Sequence, residues 1–315
     1  MGPIEFSQCM FVGNTATTSG GAVGGYGVYT YTNALRTENN HLDSYPSNER
    51  KMIFRNCLLC GNLAYRAAVA QLEGYESVFH SCTMANNHTT IVTTSSEERG
   101  NITVAGVYGK DRYGGPQIYS APIWMRNSIM ANNQGGEVWW ASFMTIGQNL
   151  LLKDLFWGQT ELNANGDSDL GVQSPVLEEP RFIGGAADTW ATSGQFSLKS
   201  NRTTIQSSMS FADNSLKGLI INPDTSQPLQ TVIDSNQGNT MVLIGDMTNL
   251  AGTAKHFQIY DYHLRSSSPA VDAGTSDAAP TVDLDRNPRP QLSGYDIGAY
   301  EFTPSKNAAR NCERY

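Results

Sequence analysis

The sequence predicts an all-β protein folded as a parallel β-solenoid, and two observations carry that prediction. The first is the composition of the 315 residues, in which 30 glycines and abundant Asn, Ser and Thr favour turns and disfavour helices. The second is a repeat of about 25 residues without helical periodicity, a length that suits one coil of a stacked repeat fold.

The repeat is visible as four segments that align without gaps. In each one a large apolar residue is followed three positions later by Cys or Ser, then by an apolar residue, a small residue and a final Asn. Asn62 and Asn87 are 25 residues apart, which is one plain coil. The longer intervals on either side hold one coil with an insertion, or two short coils. The four segments are Phe6–Asn14, Phe54–Asn62, Phe79–Asn87 and Met125–Asn133.

Equivalent positions of a solenoid stack about 4.8 Å apart, so the repeat predicts columns of side chains. Alternation along the strands places Phe6, Cys9 and Phe11 inside. We expect reduced, packed thiols rather than a metal or redox centre, because each Cys recurs at a fixed place in an apolar repeat. The predicted column of small residues is Cys9, Cys57, Cys82 and Ser128. The predicted turn ladder, with Asn in the left-handed conformation and its amide bonded to the coils above and below, is Asn14, Asn62, Asn87 and Asn133.

We expect residues 1–302 to form a single domain, with regular coils over 4–133 and irregular coils over 134–260. A run of small residues after each ladder Asn is typical of a second strand, as in Gly20–Val23. Long insertions leave the coils at 27–50 and about 91–120. If both leave on one side, they stack into one composite wall, and function in repeat proteins tends to lie in such insertions.

Three C-terminal motifs carry a family resemblance: Ser268–Gly274, Asp283–Pro290 and Asp296–Phe302. They resemble the closing motif of bacterial right-handed parallel β-helix proteins, often described as choice-of-anchor domain proteins. Phe11–Asn14 and Gly20–Val23 are similar to the repeats of polymorphic outer membrane proteins. The resemblance implies a right-handed, single-stranded parallel β-helix with a closing segment over 260–302, a polar tail over 303–315, and secretion or surface display.

We also expect the chain to be part of a longer surface protein. Met1-Gly2-Pro3 leads directly into a strand without a signal peptide, and no anchor segment follows the closing motif.

The closing motif holds a set of charged side chains that has two interpretations. They are catalytic carboxylates or Ca²⁺ ligands, or they pin a loop that covers the exposed strand edge at the end of the solenoid through Arg–carboxylate pairs. The second interpretation is favoured, since the motif is shared by proteins of different function. The residues are Asp272, Asp283, Asp285, Arg286, Arg289, Asp296 and Glu301.

The insertions hold the predicted catalytic residues. A β-elimination on an acidic polysaccharide requires a cation to neutralise the carboxylate and a base, and Lys110, Arg112 and Tyr113 supply both. A hydrolase instead requires two carboxylates about 5–10 Å apart. The remaining candidates are His41, Asp43 and Asp111, and the alternative for the whole set is a solvated loop.

Aromatic residues of the insertions and the next coil suit stacking against sugar rings, or they pack the insertions onto the solenoid wall. They are Tyr29, Tyr31, Tyr119, Trp124, Trp139 and Trp140. A separate run alternates oxygen-bearing side chains as a Ca²⁺ loop does, although Gly166 is misplaced for an EF-hand and a polar turn is the alternative. It consists of Asn163, Asn165, Asp167 and Asp169.

Charge and motifs limit the function further. A net charge of −8 disfavours nucleic-acid binding, and no apolar run approaches the roughly 20 residues of a membrane span. We therefore expect an extracellular or cell-surface protein for adhesion, structure or carbohydrate binding, with a polysaccharide or cell-surface glycan as partner and Ca²⁺ as the one candidate cofactor. The alternative is a polysaccharide lyase or glycoside hydrolase acting in a groove formed by the insertions.

Overall fold

The computed structural model describes residues 3–26, 51–73, 76–90, 102–105, 107–110, 116–119, 123–134, 139–142, 150–157 and 171–304. The protein is all-β, with mostly parallel sheets and one curled antiparallel sheet. Among the described residues, no helix has the length and apolar character needed to cross a membrane.

The first half of the chain is a series of coils, each a run of short strands that pairs in parallel with the equivalent strands of the next. Coil 1 contains β1 (Ile4–Ser7), β2 (Met10–Val12), β3 (Thr15–Ser19) and β4 (Val23–Tyr26). Coil 2 contains β5 (Lys51–Arg55), β6 (Leu58–Cys60), β7 (Leu63–Arg66) and β8 (Ala70–Glu73). Coil 3 contains β9 (Glu76–His80), β10 (Thr83–Ala85), β11 (His88–Thr89) and β12 (Ile102–Ala105).

The pairing continues beyond the predicted repeats. A short antiparallel hairpin, β13 (Val107–Lys110) and β14 (Pro116–Tyr119), separates β12 from coil 4. Coil 4 contains β15 (Ile123–Arg126), β16 (Ile129–Ala131) and β17 (Trp139–Ser142). They are followed by β18 (Leu150–Leu152), β19 (Leu155–Trp157) and β20 (Gly171–Gln173).

Stacking of these strands makes four parallel sheets. Sheet I has the order β1-β5-β9-β15-β18-β20 and sheet II the order β2-β6-β10-β16-β19. Sheet III has the order β3-β7-β11 and sheet IV the order β4-β8-β12-β17. Each coil thus contributes one strand to each sheet in turn, as far as its strands are described.

Single residues with positive φ make the corners between sheets. Those between sheets I and II are Gln8, Asn56, Ser81, Asn127 and Lys153. Those between sheets II and III are Gly13, Gly61, Asn86 and Asn132. One left-handed residue redirects the chain abruptly without starting a hairpin, which lets the strands of successive coils stay parallel.

The predicted inward columns are confirmed. Phe6, Phe54 and Phe79 are in register, and the rings of Phe54 and Phe79 stack with centroids 4.8 Å apart and an interplanar angle of 5°. Cys57 and Cys82 are fully buried in the same core. Cys9 packs against that core from coil 1 and is only partly buried.

The two thiols of Cys57-x-x-Cys60 face different cores, because successive side chains of β6 point to opposite faces of sheet II. Cys57 and Leu59 belong to the core inside the coils, whereas Cys60 contacts the outer core with Tyr262. Burial raises the pKa of the Cys60 thiol, so this thiol stays protonated. Both thiols are therefore packed in apolar cores, as the repeat predicts for Cys57.

The asparagine ladder is confirmed, but its conformation differs from the expectation. The Asn62 amide nitrogen donates to Asn87 Oδ1 at 2.8 Å, and Asn87 donates to Asn133 Oδ1 at 2.8 Å. The left-handed residue is the one before each ladder Asn, for example Gly61 with φ 58°. The ladder side chain must point inward to reach the adjacent coils, and the preceding corner residue supplies the bend.

Sheet II is covered on both faces. Its inward side chains, such as Leu59 and Met84, pack inside the coils, while Leu58, Cys60 and Ile129 pack against the C-terminal half of the chain. This double burial explains why β6, β10 and β16 are uniformly buried, without a polar face.

Where irregular coils were expected over 134–260, the structure has two different parts. The parallel pairing persists to Val176, which forms a bridge with Leu155. Residues 187–260 form the antiparallel sheet, in the order β21-β26-β24-β25-β23-β22. Its strands are β21 (Ala187–Thr189), β22 (Gln195–Ser197), β23 (Arg202–Phe211), β24 (Ile220–Asn222), β25 (Thr231–Ile244) and β26 (His256–Tyr260).

The antiparallel sheet curls around a core of its own. A bridge between Trp190 and Ser207 brings the β21 side close to β23, and the indole of Trp190 packs on Phe257 with centroids 4.2 Å apart. The long strands β23 and β25 alternate buried and exposed side chains over much of their length. That alternation is typical of an antiparallel sheet with one covered face.

The closing segment was expected at the end of the solenoid, and it instead runs along the flank of the coils. Gln8 of coil 1 donates to Asp283 O at 2.9 Å, and Thr83 of coil 3 accepts from the Ala299 amide at 2.9 Å. Asn127 of coil 4 accepts from the Gly298 amide at 2.7 Å. The groups that hold it are thus at the corners between sheets I and II, at Gln8 and Asn127, and at the start of β10, at Thr83.

The insertions leave the coils at two corners rather than one. Residues 27–50 connect β4 to β5, and residues 106–122, with the β13–β14 hairpin, connect β12 to β15. In chain order, both segments therefore follow a strand of sheet IV and precede a strand of sheet I. Residues 91–101 connect β11 to β12 and so lie between sheets III and IV. The chain order therefore allows 27–50 and the hairpin to form the predicted composite wall together. It does not bring 91–101 to the same corner.

Candidate functional site

A groove lies where the corner between sheets II and III meets the antiparallel sheet. It consists of two adjoining cavities, of about 330 Å³ and about 260 Å³. Asn86, Asn132 and Tyr260 line both cavities. We call this feature the Tyr260 groove, because Tyr260 is the aromatic residue that lines both cavities.

The corner column explains why the groove opens at coils 3 and 4. In coils 1 and 2 the corner residues are Gly13 and Gly61, and Gln230 packs so closely that a Cβ on Gly61 would lie 2.4 Å from its side chain. In coils 3 and 4 the corner residues are Asn86 and Asn132, and both line the two cavities. The change from glycine to asparagine therefore coincides with the change from a close contact to a cleft.

One side of the groove is fixed by a hydrogen-bond chain. Asn86 Nδ2 donates to Tyr262 Oη at 2.8 Å, and Tyr262 Oη donates to Gln230 Oε1 at 3.1 Å. Tyr262 is buried, and its ring lies parallel to that of Tyr260 with centroids 5.8 Å apart. Burial, helped by the nearby Cys60, raises the pKa of Tyr260. The half-buried Tyr260 ring is thus held in one plane and keeps a neutral hydroxyl.

The smaller cavity is lined by uncharged hydrogen-bonding groups. His88 and Gln134 lie side by side, since their backbones form a parallel bridge. Asn132 and Gln134 are exposed, and Thr225 faces them from the antiparallel sheet. Gln227, by contrast, is used internally, because its Oε1 accepts from the Leu229 amide at 2.6 Å and its Nε2 donates to Asn222.

The larger cavity carries the charged side chains of the groove. Arg265 donates to the carbonyls of Phe182 and Ile183, at 3.0 and 2.8 Å. Arg181 and Glu179 are exposed at the rim. The positive and negative charges at this end balance each other.

Asp261, which lines the larger cavity, belongs to an Asp–His–Asp chain in which Asp261 and His263 are buried and Asp285 is exposed. His263 Nδ1 lies 2.5 Å from Asp261 Oδ1, and His263 Nε2 lies 3.0 Å from Asp285 Oδ2. The imidazole also packs on the ring of Tyr300, with centroids 4.0 Å apart. The carboxylates occupy opposite ring nitrogens, so they cannot converge on one metal ion, and no other group of three or more metal-ligating side chains occurs in the described part of the chain.

The charged side chains of the closing segment form internal bonds, which supports their structural interpretation. Arg289 Nη1 donates to Glu301 Oε1 at 2.9 Å and Nη2 to Gly298 O at 2.7 Å. Asp283 accepts from the Asn287 and Glu301 amides. Burial, with the nearby Glu301 charge, raises the pKa of Asp296 to about 7. Within the closing segment, Arg289 thus makes one ion pair and hydrogen bonds to backbone carbonyls. It does not form a bidentate pair with a carboxylate.

A polar column on the outer face of sheet I was not found by sequence reasoning. Arg55, His80 and Arg126 are in register on adjacent strands, and Arg55 Nη1 lies 2.9 Å from His80 Nδ1. Burial, followed by the charges of Arg55 and Arg126, lowers the pKa of His80 to about 4. Arg126 pairs with Asp277 at 2.6 Å, which fastens the column to the closing segment.

Most of the predicted site residues lie outside the described residues. These are Tyr29, Tyr31, His41, Asp43, Asp111, Arg112, Tyr113, Asn163, Asn165, Asp167 and Asp169. Their predicted catalytic, ligand-binding and Ca²⁺-binding roles therefore stay predictions.

Five predicted residues have a described backbone, and none of them lines the Tyr260 groove. Lys110 pairs with Pro116 at the end of the hairpin strands next to residues 111–115, and Tyr119 pairs with Val107 at the open end. Trp124 is half-buried on the outer side of sheet I, beside Ile123 and Met125, which face the core. The other two, Trp139 and Trp140, are on β17 and pair with β12.

The Tyr260 groove had two signals in the sequence. The doubled asparagines Asn86-Asn87 and Asn132-Asn133 replace the Gly-Asn of the first two coils, and the aromatic run Phe257–Tyr262 recurs in part near Phe196. Neither signal identifies a cleft alone, because the two segments are far apart in the chain. Comparison of the chain with protein-family models, curated proteins and solved structures gave no match.

Proposed function

We propose that this protein is a glycan-binding module of the cell surface or extracellular space, and that it binds an uncharged oligosaccharide in the Tyr260 groove. The observation that carries the proposal is the ring of Tyr260, stacked on Tyr262, which lines both a smaller cavity bordered mainly by amides and hydroxyls and a larger cavity that also holds charged side chains. Sugar rings bind through their apolar faces to aromatic rings and through their hydroxyls to such groups.

We further propose that the parallel half is a right-handed, single-stranded β-helix. The support is the serial order of strands in sheets I to IV, each connected to its parallel neighbour by a crossover through the other sheets. Such crossovers are right-handed in nearly all proteins. A rigid support of this kind suits adhesion, because it holds the groove at a fixed place on a long surface.

Binding is favoured over catalysis by the carboxylates of the groove. A hydrolase needs an acid and a second carboxylate flanking one bond. Of the described groove residues, Asp261 has Oδ1 bonded to His263, and Glu179 is at the exposed rim. The lyase or hydrolase alternative depends on Lys110, Arg112, Tyr113 and the other insertion residues, and it stays a prediction.

The test is calorimetric titration with neutral and uronate-containing oligosaccharides. We expect a neutral glycan to bind, and Tyr260→Ala to weaken it at least tenfold, about 1.4 kcal/mol. Tyr260→Phe should retain most of the affinity, because the ring plane is kept. Asn132→Ala and Gln134→Ala should each weaken binding as well.

Tyr65→Ala is the matched control, since Tyr65 is an exposed tyrosine of β7 outside both cavities. Thermal unfolding of each variant separates loss of binding from loss of fold. Equal affinity of Tyr260→Ala and Tyr65→Ala would refute the groove as the binding site. Release of unsaturated or reducing ends from a polysaccharide would favour the enzyme instead.

A further inference from the structure

No described strand pairs with the outer edge of coil 1 in any of the parallel sheets. Among the described residues, β1, β2, β3 and β4 are the terminal strands of sheets I, II, III and IV. Each therefore presents backbone N–H and C=O groups on the side away from coil 2. We call this surface the coil 1 edge.

The side chains of coil 1 show how incomplete the stack is there. Phe54 and Cys57 of coil 2 are fully buried, whereas the equivalent Phe6 and Cys9 are only partly buried. Met10 is 40% exposed. The inward columns therefore end in an apolar surface that a further coil would cover.

The edge also lacks the usual protection against pairing. Natural edge strands carry charges, prolines or bulges that prevent association. Residues 4–26 contain one charged residue, Glu5, and it is paired with Arg55 at 3.2 Å. A register shift in β3 is the one irregularity of the four strands.

The asparagine ladder gives the edge a direction. In every described step, the backbone N–H and Nδ2 of one ladder Asn donate to Oδ1 of the Asn in the following coil, as Asn14 does to Asn62 at 2.9 and 3.0 Å. Nδ2 also donates back to a carbonyl of the preceding coil, as Asn62 does to Phe11 O at 3.0 Å. At Asn14 the ladder therefore still offers an acceptor, Oδ1, and a second Nδ2 hydrogen.

We propose that the coil 1 edge is an interaction surface for a parallel segment of a partner polypeptide that carries the same repeat pattern. The segment would place a large apolar residue over Phe6, a small residue over Cys9 and an Asn over Asn14. Its Asn supplies the two donors that Asn14 Oδ1 accepts, and Asn14 Nδ2 bonds a carbonyl three residues before that Asn. An antiparallel strand cannot meet these conditions, which disfavours a symmetric contact between two copies of the edge.

The probe is a peptide with the sequence of residues 51–66, which holds the complete pattern from Phe54 to Asn62. Its binding to the full chain is measured by fluorescence anisotropy under reducing conditions. We expect saturable binding, weakened at least tenfold when the peptide carries Asn62→Ala. The protein variant Asn14→Ala should weaken binding by a similar factor.

Two edge variants test the location. Met10→Lys on β2 and Thr17→Lys on β3 add a charge to an exposed edge position and should abolish binding without unfolding the protein. Leu198→Lys is the control, since Leu198 is 86% exposed and lies in the other half of the chain. Hydrogen exchange should slow in β1 to β4 when the peptide is present.

The proposal is overturned if the peptide does not bind, or if Met10→Lys and Leu198→Lys bind it equally well. It is also overturned if sedimentation shows that the protein self-associates through this edge and excludes the peptide, because the occupant is then a second copy. Glycan binding at the Tyr260 groove is unaffected by each of these outcomes.

Discussion

Replacement of one ladder asparagine measures how strongly the coils hold each other. The Asn62 side chain, which is fully buried, makes four hydrogen bonds to its neighbours. Nδ2 donates to Phe11 O at 3.0 Å and to Asn87 Oδ1 at 2.8 Å, while Oδ1 accepts from the backbone and side-chain nitrogens of Asn14 at 2.9 and 3.0 Å. Asn62→Ala removes all four.

The expected loss in the free energy of unfolding depends on the hydrogen bonds removed and on whether their former partners keep another bond. Each hydrogen bond contributes about 1 kcal/mol net, and a stranded buried partner costs about 1–3 kcal/mol. Phe11 O keeps a backbone partner in the parallel β2–β6 ladder, Asn87 Oδ1 still accepts from the Asn62 backbone at 3.1 Å and Asn14 is exposed to water, so the cost is that of the four lost bonds. We therefore expect Asn62→Ala to lower the free energy of unfolding by about 3–5 kcal/mol, and Asn14→Ala, at the open end, by roughly 1 kcal/mol or less.

The assay is urea unfolding followed by circular dichroism, with stability differences taken from the midpoints at a common slope. Asn62→Asp adds a control for volume, because it keeps the acceptor for Asn14 and loses the donor to Phe11 and Asn87. It should be at least as destabilising as Asn62→Ala. If Asn62→Ala costs no more than Asn14→Ala, the ladder is not a source of stability and the reasoning is refuted.

Two further predictions concern thiols and pH. Cys57, Cys60 and Cys82 are buried and should react slowly with a thiol reagent in the native protein, while the partly buried Cys9 should react faster; equal rates at Cys9 and Cys57 would contradict the open coil 1 edge. His80 has a folded pKa of about 4, below its unfolded value of about 6.5. Because the unfolded state takes up the proton first, the stabilising effect of neutral His80 is present above pH 6.5 and is lost as the pH falls from about 6.5 to about 4. His80→Gln should abolish that loss, on the order of 3 kcal/mol, in urea midpoints measured from pH 7 to pH 4, and an unchanged pH dependence would show that other groups cause it.

The parts of the fold that sequence reasoning predicted are local and periodic. The columns of Phe54 and Cys57 and the ladder at Asn62 follow from a repeat that is visible within one coil and its neighbour. The exact bend was misassigned by one residue, because Gly61-Asn62 and Asn86-Asn87 both contain a residue that tolerates positive φ.

The parts that were missed depend on contacts between distant segments. In the sequence, the strands of the antiparallel sheet resemble the strands of a coil. The feature that distinguishes them is length, since β25 has 14 residues. Docking of the closing segment joins Gln8 to Asp283 and Asn127 to Thr275. No period relates these pairs, so neither the flank position nor the Tyr260 groove could be derived from the pattern.

The closing segment changes the mechanical character of the stack. Tandem repeats that touch only their neighbours can fray one unit at a time. Here one stretch of chain is fastened to Gln8, Asn56, Thr83 and Asn127, which belong to four successive coils. The closing segment therefore links the coils to each other. None of the four coils can separate from the stack without breaking a hydrogen bond to this segment. A force along the stack is thereby shared over all four coils.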